Sequence, residues 1–279
     1  MAEIPNVCLN LVNRPENVLV VRQALTGVAE SLGLDAIASN DLNTAVTEAC
    51  NNVVLHAYGG AEGPLEVELY VSAATIAVVV GDRGGGIPPR KIDDDELHAG
   101  IGLPVIQALS RQVELRDRPG GGTEVRMEFA LAEGAPLAPL EGAGPGPCAP
   151  AEGDPANTVA MSLAPTALAR EVLPRVLCAL AARAYFSTDR IGDVQLVADV
   201  LAANAGDSIA GSHLDVDVTV APRNLELRLG PLRAGHGDSV IATAADGMAP
   251  VIERLTDEQH RVARADAGET LELRLVEHR

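Results

Sequence analysis

The sequence predicts an α+β protein in which helices cover one face of a mixed, mostly antiparallel sheet. Short segments that alternate in hydrophobicity like strands are interspersed with longer segments of helical spacing. Pro, Gly and Ala dominate residues 132–157, which separate two blocks of this kind. The second block repeats the element order of the first. We therefore predict domains at residues 1–131 and 158–279, joined by an extended linker over 132–157.

The first block is expected to run strand, helix, helix, two strands, helix and hairpin. VCLNLVN alternates like a strand, and Pro15 opens a helix that extends to about Gly33. A second helix, with Ser39 or Asn40 as its N-cap, buries one apolar stripe. That stripe comprises Leu42, Ala45, Val46, Ala49 and Val53. LEVELYVSA and TIAVVVGD predict two strands, GLPVIQALSRQ a helix, and QVELRDRPGGGTEVRMEFAL a hairpin with a glycine-rich turn.

Composition and charge exclude several classes of partner. The chain has 279 residues, a formal net charge of -18 and only 2% aromatic residues. A phosphate backbone is bound mainly by Lys and Arg, and single strands also need aromatic platforms. We therefore expect no direct contact with nucleic acid and no anionic membrane surface as a partner. A protein or a nucleotide fits this composition better.

Cysteine usage and the N-terminus predict a cytoplasmic protein. The four cysteines have neither CxxC spacing nor a clustered His, so no zinc site is indicated and reduced thiols are expected. MAEIPNVCLN lacks a basic region followed by an apolar stretch, and no apolar run reaches the ~18 residues of a membrane span. We expect a soluble chain with no membrane association.

The segment TEACNNVVLHAY carries polar residues at helical spacing. Glu48, Asn52 and His56 are four apart, which stacks them along one side of a helix with a slow drift around its axis. A solvated helix face has the same pattern. On an α-helical wheel His56 drifts toward the apolar stripe, so we expect a partly buried, structural histidine.

Two glycine-rich segments follow. GDRGGGIPP places Gly84 and Gly86 after Asp82 at the end of an apolar strand, and HAGIGLPVI places Gly100 and Gly102 immediately before a helix. Glycines at this spacing allow a tight turn and close approach to a ligand, and a helix N-terminus offers free N–H groups to phosphate. Each segment alone is also compatible with a plain connection.

The order of these elements resembles the GHKL ATPase superfamily, which includes gyrase, heat-shock chaperones, histidine kinases and mismatch-repair proteins. Within it, the chain is most similar to the anti-sigma-factor serine kinases, whose pattern is TEAxxNxxxHAY, DxGxG and GxGL. These elements stand here at Thr47 to Tyr58, Asp82 to Gly86 and Gly100 to Leu103. The resemblance covers about residues 7–131 and implies a Bergerat-type α/β sandwich that binds ATP and Mg²⁺.

The resemblance implies a role for each of these residues. Asp82 would accept a hydrogen bond from the adenine amino group, and Thr123 would complete the adenine site. Asn52 would ligate Mg²⁺, and Glu48 would act as the general base toward the attacking hydroxyl. The glycines would allow close approach of base, sugar and phosphates; they are Gly84, Gly86, Gly100 and Gly102. The segment PPRKIDDDELHA between the glycine motifs is either a cover over ATP or a solvated turn.

The second block resembles a degenerate copy of the first. LPVIQALS aligns with APVIERLT, which places Asp246 and Met248 at the glycine pair, and VVVGDRGGG aligns with LRLGPLRAG, which places Pro231 at the position of Asp82. Asp199 lies near the Glu48 position, with Ala203 four residues on. The anti-sigma-factor serine kinases typically act as homodimers. The second block is therefore interpreted as a built-in pseudo-partner of the first, in a chain that is a monomer. The alternatives are a degenerate repeat that is only folded bulk and a docking surface for a protein.

Two function classes remain. The favoured one is an ATP-dependent serine/threonine kinase and anti-sigma-type switch that phosphorylates a STAS-type anti-anti-sigma protein and binds a sigma factor. The alternative is a nucleotide-gated binding module with negligible phosphoryl transfer. A sensor histidine kinase fits less well, because no helical segment with a phospho-acceptor His precedes the ATP-binding motifs.

Overall fold

The computed structural model describes residues 4–85, 102–131, 156–241, 251–263 and 268–278. It confirms the α+β class. Ten strands form one sheet in the order β4-β5-β3-β2-β1-β6-β7-β8-β10-β9. Every pairing between neighbouring strands of the described chain is antiparallel. The first five strands therefore occupy one side of the sheet and the last five the other.

The first half follows the predicted order of elements. Its elements are β1 (Val7–Val12), α1 (Pro15–Ser31), α2 (Ala36–Asn52), β2 (Pro64–Val71), β3 (Thr75–Asp82), α3 (Gly102–Leu109), β4 (Gln112–Asp117) and β5 (Thr123–Ala130). A π-helical turn, Val53–Ala57, extends α2.

In the described ranges, the second half has the same order of elements, with a short helix α6 between β8 and α7. Its elements are β6 (Thr158–Leu163), a 3₁₀ turn (Thr166–Leu168), α4 (Ala169–Arg183), α5 (Thr188–Ser208), β7 (Leu214–Ala221), β8 (Asn224–Arg233), α6 (Gly237–Ile241), α7 (Val251–Leu255), β9 (Glu258–Ala263) and β10 (Gly268–Val276). The sequence pattern did not predict helix α6.

One hydrophobic core lies between the sheet and the helices. Alternate strand residues point into it, as the period of two in a strand requires; in β1 they are Val7, Leu9 and Leu11. The predicted stripe of α2 is confirmed, because Leu42, Ala45, Val46, Ala49 and Val53 are all buried. The same core continues across the second half through α4 and α5.

Helix α2 begins earlier than the sequence indicated. Its N-cap is Asp35, whose side chain accepts a hydrogen bond from the Ala38 N–H at 2.8 Å, and not Ser39 or Asn40. The expectation of a partly buried His56 is also wrong, because this residue is exposed. It lies in the π-helical turn, where each residue advances by less than the ~100° of an α-helix, so the wheel overestimates its drift toward the core.

The two halves meet through strands β1 and β6 and helices α1 and α4. Strand β1 pairs antiparallel with β6, with Leu9 opposite Met161. The helices cross closely at Gly27, where an added Cβ would lie 2.5 Å from the carbonyl oxygen of Glu171. Arg175 of α4 pairs with Glu30 of α1. A continuous sheet and a close helix crossing thus join the two halves.

Some predictions concern residues outside the described part of the chain. The proposed linker 132–157 lies there except for Ala156 and Asn157, so the domain boundaries remain predictions. Within the described ranges, no helix is long and apolar enough to cross a membrane. Cys50 and Cys178 are free thiols, but Cys8 is in a disulfide, so the expectation of reduced cysteines is wrong at that position.

Candidate functional site

Helix α2 brings a carboxylate and a carboxamide to the first residue of α3. Glu48 and Asn52 lie one turn apart near the end of α2, and both are half-buried. A Cβ added to Gly102 would lie 3.2 Å from Asn52 Oδ1 and 3.4 Å from Glu48 Oε2. The N-terminus of α3 therefore lies close to both side chains, and a side chain at position 102 would crowd Asn52. The structure brings these three predicted residues together.

The buried carboxylate of Asp82 ends strand β3. Its position opposite Leu65 of β2 turns its side chain toward the helix-covered face, and 5% of the residue is exposed. Asp82 Oδ1 accepts a hydrogen bond from the Gly84 N–H at 2.8 Å. A carboxylate has further acceptor positions, so Asp82 can still accept from a ligand.

The turn after β3 packs directly on the end of the α2 extension. An added Cβ on Gly84 would lie 2.0 Å from the Ala57 carbonyl oxygen, and the same oxygen accepts a hydrogen bond from the Gly85 N–H at 3.1 Å. Glycine is thus required at position 84 for this approach. The turn with Asp82 is consequently joined to the helical segment with Glu48 and Asn52.

A second loop supports the other side of Asp82. Thr123 begins β5, and the preceding Gly122 adopts φ +95°. A Cβ added to Gly122 would lie 2.1 Å from the Asp82 carbonyl oxygen. Thr123 therefore directly follows the residue that lies against the Asp82 backbone.

A buried ion-pair cluster lies beside this region. Glu66 of β2 is 7% exposed and accepts hydrogen bonds from Arg83 at 2.8 Å and from Arg118 at 2.6 Å. Burial alone would raise the pKa of the Glu66 carboxyl, but the hydrogen bonds from Arg83 and Arg118 outweigh it and hold this pKa below its ordinary value. The cluster fixes Arg83, which directly follows Asp82.

The sequence patterns identified neither Glu66 nor Arg118, and they included Tyr58 only as the last residue of the TEAxxNxxxHAY motif, without a role of its own. The Tyr58 hydroxyl accepts from the Arg83 N–H at 2.8 Å and donates to the Pro64 carbonyl oxygen at 2.6 Å. A charged residue within the strand segment LEVELYV is a weak signal for Glu66, because the residue at that position could equally face solvent. The contacts of Tyr58 and Arg118 depend on strand register, which the sequence does not reveal.

Two predicted site residues and the segment between the glycine motifs remain untested. Gly86, Gly100 and residues 88–99 lie outside the described part of the chain. Five of the other predicted site residues form two groups. Glu48, Asn52 and Gly102 form one group, and Asp82 and Gly84 form the other, with Thr123 adjacent.

Comparisons with known proteins identify the family of the first half. Residues 11–129 match the model of the histidine kinase-like ATPase domain. An anti-sigma F factor of Thermoanaerobacter sp. (strain X514) is 30% identical over 127 residues, which cover 43% of this chain and 89% of that protein. The serine-protein kinase RsbW of Bacillus pumilus (strain SAFR-032) is 34% identical over 122 residues, or 38% of this chain and 75% of that protein.

The RsbW of Bacillus subtilis (strain 168) is 30% identical over 120 residues, covering 38% of this chain and 75% of that protein. All three relatives thus match only part of this chain, whereas the chain covers three quarters or more of each of them. Through its first half, the chain belongs to the histidine kinase-like ATPase domain family, together with the anti-sigma F factors and the serine-protein kinases RsbW.

Proposed function

We propose that this protein is an ATP-dependent serine/threonine kinase that acts as an anti-sigma-type switch in the cytoplasm. The observation that carries this proposal is the meeting of Glu48, Asn52 and Gly102 at the N-terminus of α3. A carboxylate, a carboxamide oxygen and free backbone N–H groups are the elements that phosphoryl transfer needs. The names of the relatives support the same function.

Asp82 and its neighbours would form the adenine end of the site. The Asp82 carboxylate is buried, and a charged acceptor makes a strong and selective hydrogen bond to an exocyclic amine. Gly84 leaves room for the base because it has no side chain, and Thr123 would add its hydroxyl. The Gly84 N–H on Oδ1 orients the carboxylate before any ligand arrives.

Asn52 and the N-terminus of α3 would form the phosphate end. Mg²⁺ prefers oxygen ligands and takes few from protein when phosphates supply the rest, and Asn52 Oδ1 faces the first residue of α3. The metal would neutralise charge that develops on the phosphates. The backbone N–H groups of Gly102 and Leu103 are unsatisfied within α3 and would cradle the phosphates together with Gly100.

Glu48 would act as the general base. Its carboxylate lies one helical turn before Asn52, on the same side of α2, so it is close to the phosphate end and separate from Asp82. In this position it would accept the proton of a serine or threonine hydroxyl as that oxygen attacks. Because Glu48 holds neither adenine nor metal here, binding and chemistry can be separated by mutation.

The second half would serve as a degenerate repeat and internal partner of the first. Counted from the N-caps Asp35 and Ser187, α2 and α5 bury the same five positions; these are Leu42, Ala45, Val46, Ala49 and Cys50 in α2, and Val194, Val197, Ala198, Leu201 and Ala202 in α5. The same count favours Asn204 as the equivalent of Asn52 and Val200 as the equivalent of Glu48. These residues lie one position after Ala203 and Asp199, which the sequence alignment favours.

The site that corresponds to Asp82 and Asn52 would be closed in the second half. The proposed equivalence of Pro231 and Asp82 is supported by strand register, because Leu214 pairs with β6 as Leu65 pairs with β1. The Asn204 amide donates to the Val240 carbonyl oxygen at 3.0 Å. Val240 and Ile241 of α6 are buried. These contacts favour a structural role for the second half over nucleotide binding.

The partners follow from the family. We propose a sigma factor and a STAS-type anti-anti-sigma protein as alternative partners, with the antagonist supplying the phosphorylated hydroxyl. The net charge of -18 favours protein partners over direct contact with nucleic acid.

The decisive experiment combines the protein, Mg²⁺ and γ-labelled ATP with STAS-type proteins from its own genome neighbourhood. We expect label on a serine or threonine of one of them. Glu48→Gln should retain nucleotide affinity and lower transfer by ~10²–10⁴. Equal transfer by this variant would reject Glu48 as the base. Nucleotide binding that changes partner affinity without transfer would favour the nucleotide-gated module instead.

A further inference from the structure

We propose that Tyr58 is a positioning residue that couples the adenine end of the nucleotide site to its phosphate end. This inference rests on the proposed function, because it concerns the same site. Tyr58 directly follows the π-helical turn that extends α2, the helix of Glu48 and Asn52. Its hydroxyl binds Arg83, the residue after Asp82. No contact of Tyr58 with the ligand is required.

The Tyr58 hydroxyl has two backbone partners, one at the start of β2 and one just after β3. It accepts from the Arg83 N–H at 2.8 Å and donates to the carbonyl oxygen of Pro64, the first residue of β2, at 2.6 Å. Burial raises the pKa of this phenol, so the hydroxyl remains protonated and keeps both roles at neutral pH. The pair of bonds fixes where the turn after β3 leaves the sheet.

The chain around Tyr58 is built to hold this ring in place. A Cβ added to Gly63 would lie 2.1 Å from Tyr58 Cε1, so only glycine accommodates the ring there. The preceding residue, Ala57, touches Gly84 and accepts from the Gly85 N–H at 3.1 Å. Two consecutive residues therefore bind three consecutive residues of the turn after Asp82.

This connection determines the relative placement of the two ends. Asp82 belongs to β3, whereas Glu48 and Asn52 belong to α2. The end of the α2 extension contacts the turn after β3 through Ala57 and Tyr58. Loss of the hydroxyl would leave the Arg83 N–H and the Pro64 carbonyl oxygen without this partner. The turn would then shift or fluctuate, and the Asp82 carboxylate would select the adenine amine less well.

Tyr58→Phe tests the inference by removing only the hydroxyl. The affinities for ADP and for IDP, which lacks the adenine amine, are measured by calorimetry on the full chain with Mg²⁺. We expect the affinity for ADP to fall about 3- to 10-fold and that for IDP to fall less, so that the preference for ADP shrinks. Tyr70→Phe is the matched control, because Tyr70 donates to Glu68 at 2.6 Å, away from Asp82.

Each outcome has a defined meaning. An unchanged preference for ADP in Tyr58→Phe, or an equal fall for both nucleotides, would overturn the positioning role, as would the same loss in Tyr70→Phe. If Tyr58→Phe does not fold by circular dichroism, Gly63→Ala displaces the ring while keeping the hydroxyl and should shrink the preference in the same way. A parent protein without ADP binding would instead reject the proposed function, and the inference with it.

Discussion

Leu9 and Met161 lie opposite each other in the antiparallel pair formed by β1 and β6, where the two halves of the chain meet. From this pair the strands continue outward in matching order, β2-β3-β5-β4 on one side and β7-β8-β10-β9 on the other. Each half thus covers the strand edge that the other would expose. This strand order agrees with the proposed pseudo-dimer within one chain, whose approximate twofold axis would lie near Leu9 and Met161.

The close helix crossing at this junction predicts an unusual cost for a small substitution. Gly27→Ala places a Cβ 2.5 Å from the Glu171 carbonyl oxygen, so α1 and α4 must move apart. We expect a loss of ~1–3 kcal/mol in the free energy of unfolding, measured by urea denaturation. The usual gain in helix propensity from Gly to Ala is smaller than this.

Gly192→Ala is the matched control for that variant. Gly192 also lies inside a helix, α5, but an added Cβ there would meet no atom within 4 Å. This substitution should stabilise the protein by ~0.5–1 kcal/mol. A Gly27→Ala protein that is as stable as Gly192→Ala would show that the two halves do not pack closely through α1 and α4.

Hydrophobic periodicity was sufficient to predict most of the fold, and local geometry explains where it failed. The apolar stripe of α2 depends on spacing alone, which the sequence shows directly. The N-cap Asp35 was missed because several residues before α2 can cap a helix. The exposure of His56 follows from the π-helical turn, which no periodic pattern announces. Helix α6 has five residues and is too short for a periodic signal.

The candidate site was only partly predictable, for a related reason. Glu48, Asn52 and Asp82 are parts of sequence motifs, so their types and spacing could be recognised. The supporting contacts of Tyr58, Glu66 and Arg118 involve residues distant in sequence and require the register of β2 against β3. Register follows from side-chain packing across the whole sheet, and single segments do not reveal it.

Asp82→Asn should weaken binding of ATP and ADP alike. An amide at this position replaces a charged acceptor by a neutral one and can present an N–H to the adenine amine. A hydrogen bond to a charged acceptor contributes ~1.5–3 kcal/mol, so calorimetry should show a loss of at least about tenfold. Asp207→Asn, at an exposed position of α5, is the control and should bind normally. Unchanged nucleotide binding by Asp82→Asn would contradict the proposal that Asp82 binds the adenine amine.

Glu66→Gln should lower stability at neutral pH and have less effect in acid. The pKa of the folded Glu66 carboxyl lies below its ordinary value, so its stabilisation is present above that ordinary value and is lost as the pH falls through the lowered pKa. We expect the free energy of unfolding to fall by ~1–3 kcal/mol at neutral pH. The range is kept low because Arg83 is exposed and solvent screens its charge. The difference between parent and variant should shrink as the pH is lowered below about 4.

Urea denaturation at neutral and acidic pH measures this difference. Glu114→Gln serves as the control, because Glu114 pairs with Arg116 on the exposed edge strand β4 and should contribute little at either pH. A stability difference for Glu66→Gln that stays constant with pH would mean that the charge of this carboxylate is not what holds Arg83 and Arg118.

One nucleotide should bind per chain, and the chain should be a monomer. Asp82 and Asn52 are available in the first half, whereas Pro231 has no side-chain acceptor and the Asn204 amide already donates to Val240. Calorimetric titration with ADP and Mg²⁺ should therefore give a stoichiometry near one, and light scattering should give the mass of a single chain. Two nucleotides per chain would contradict the closed second site. One nucleotide per chain in a stable homodimer would agree with a closed second site. It would reject the second half as an internal partner, because the pairing of β6 with β1 would then not replace a second copy of the chain.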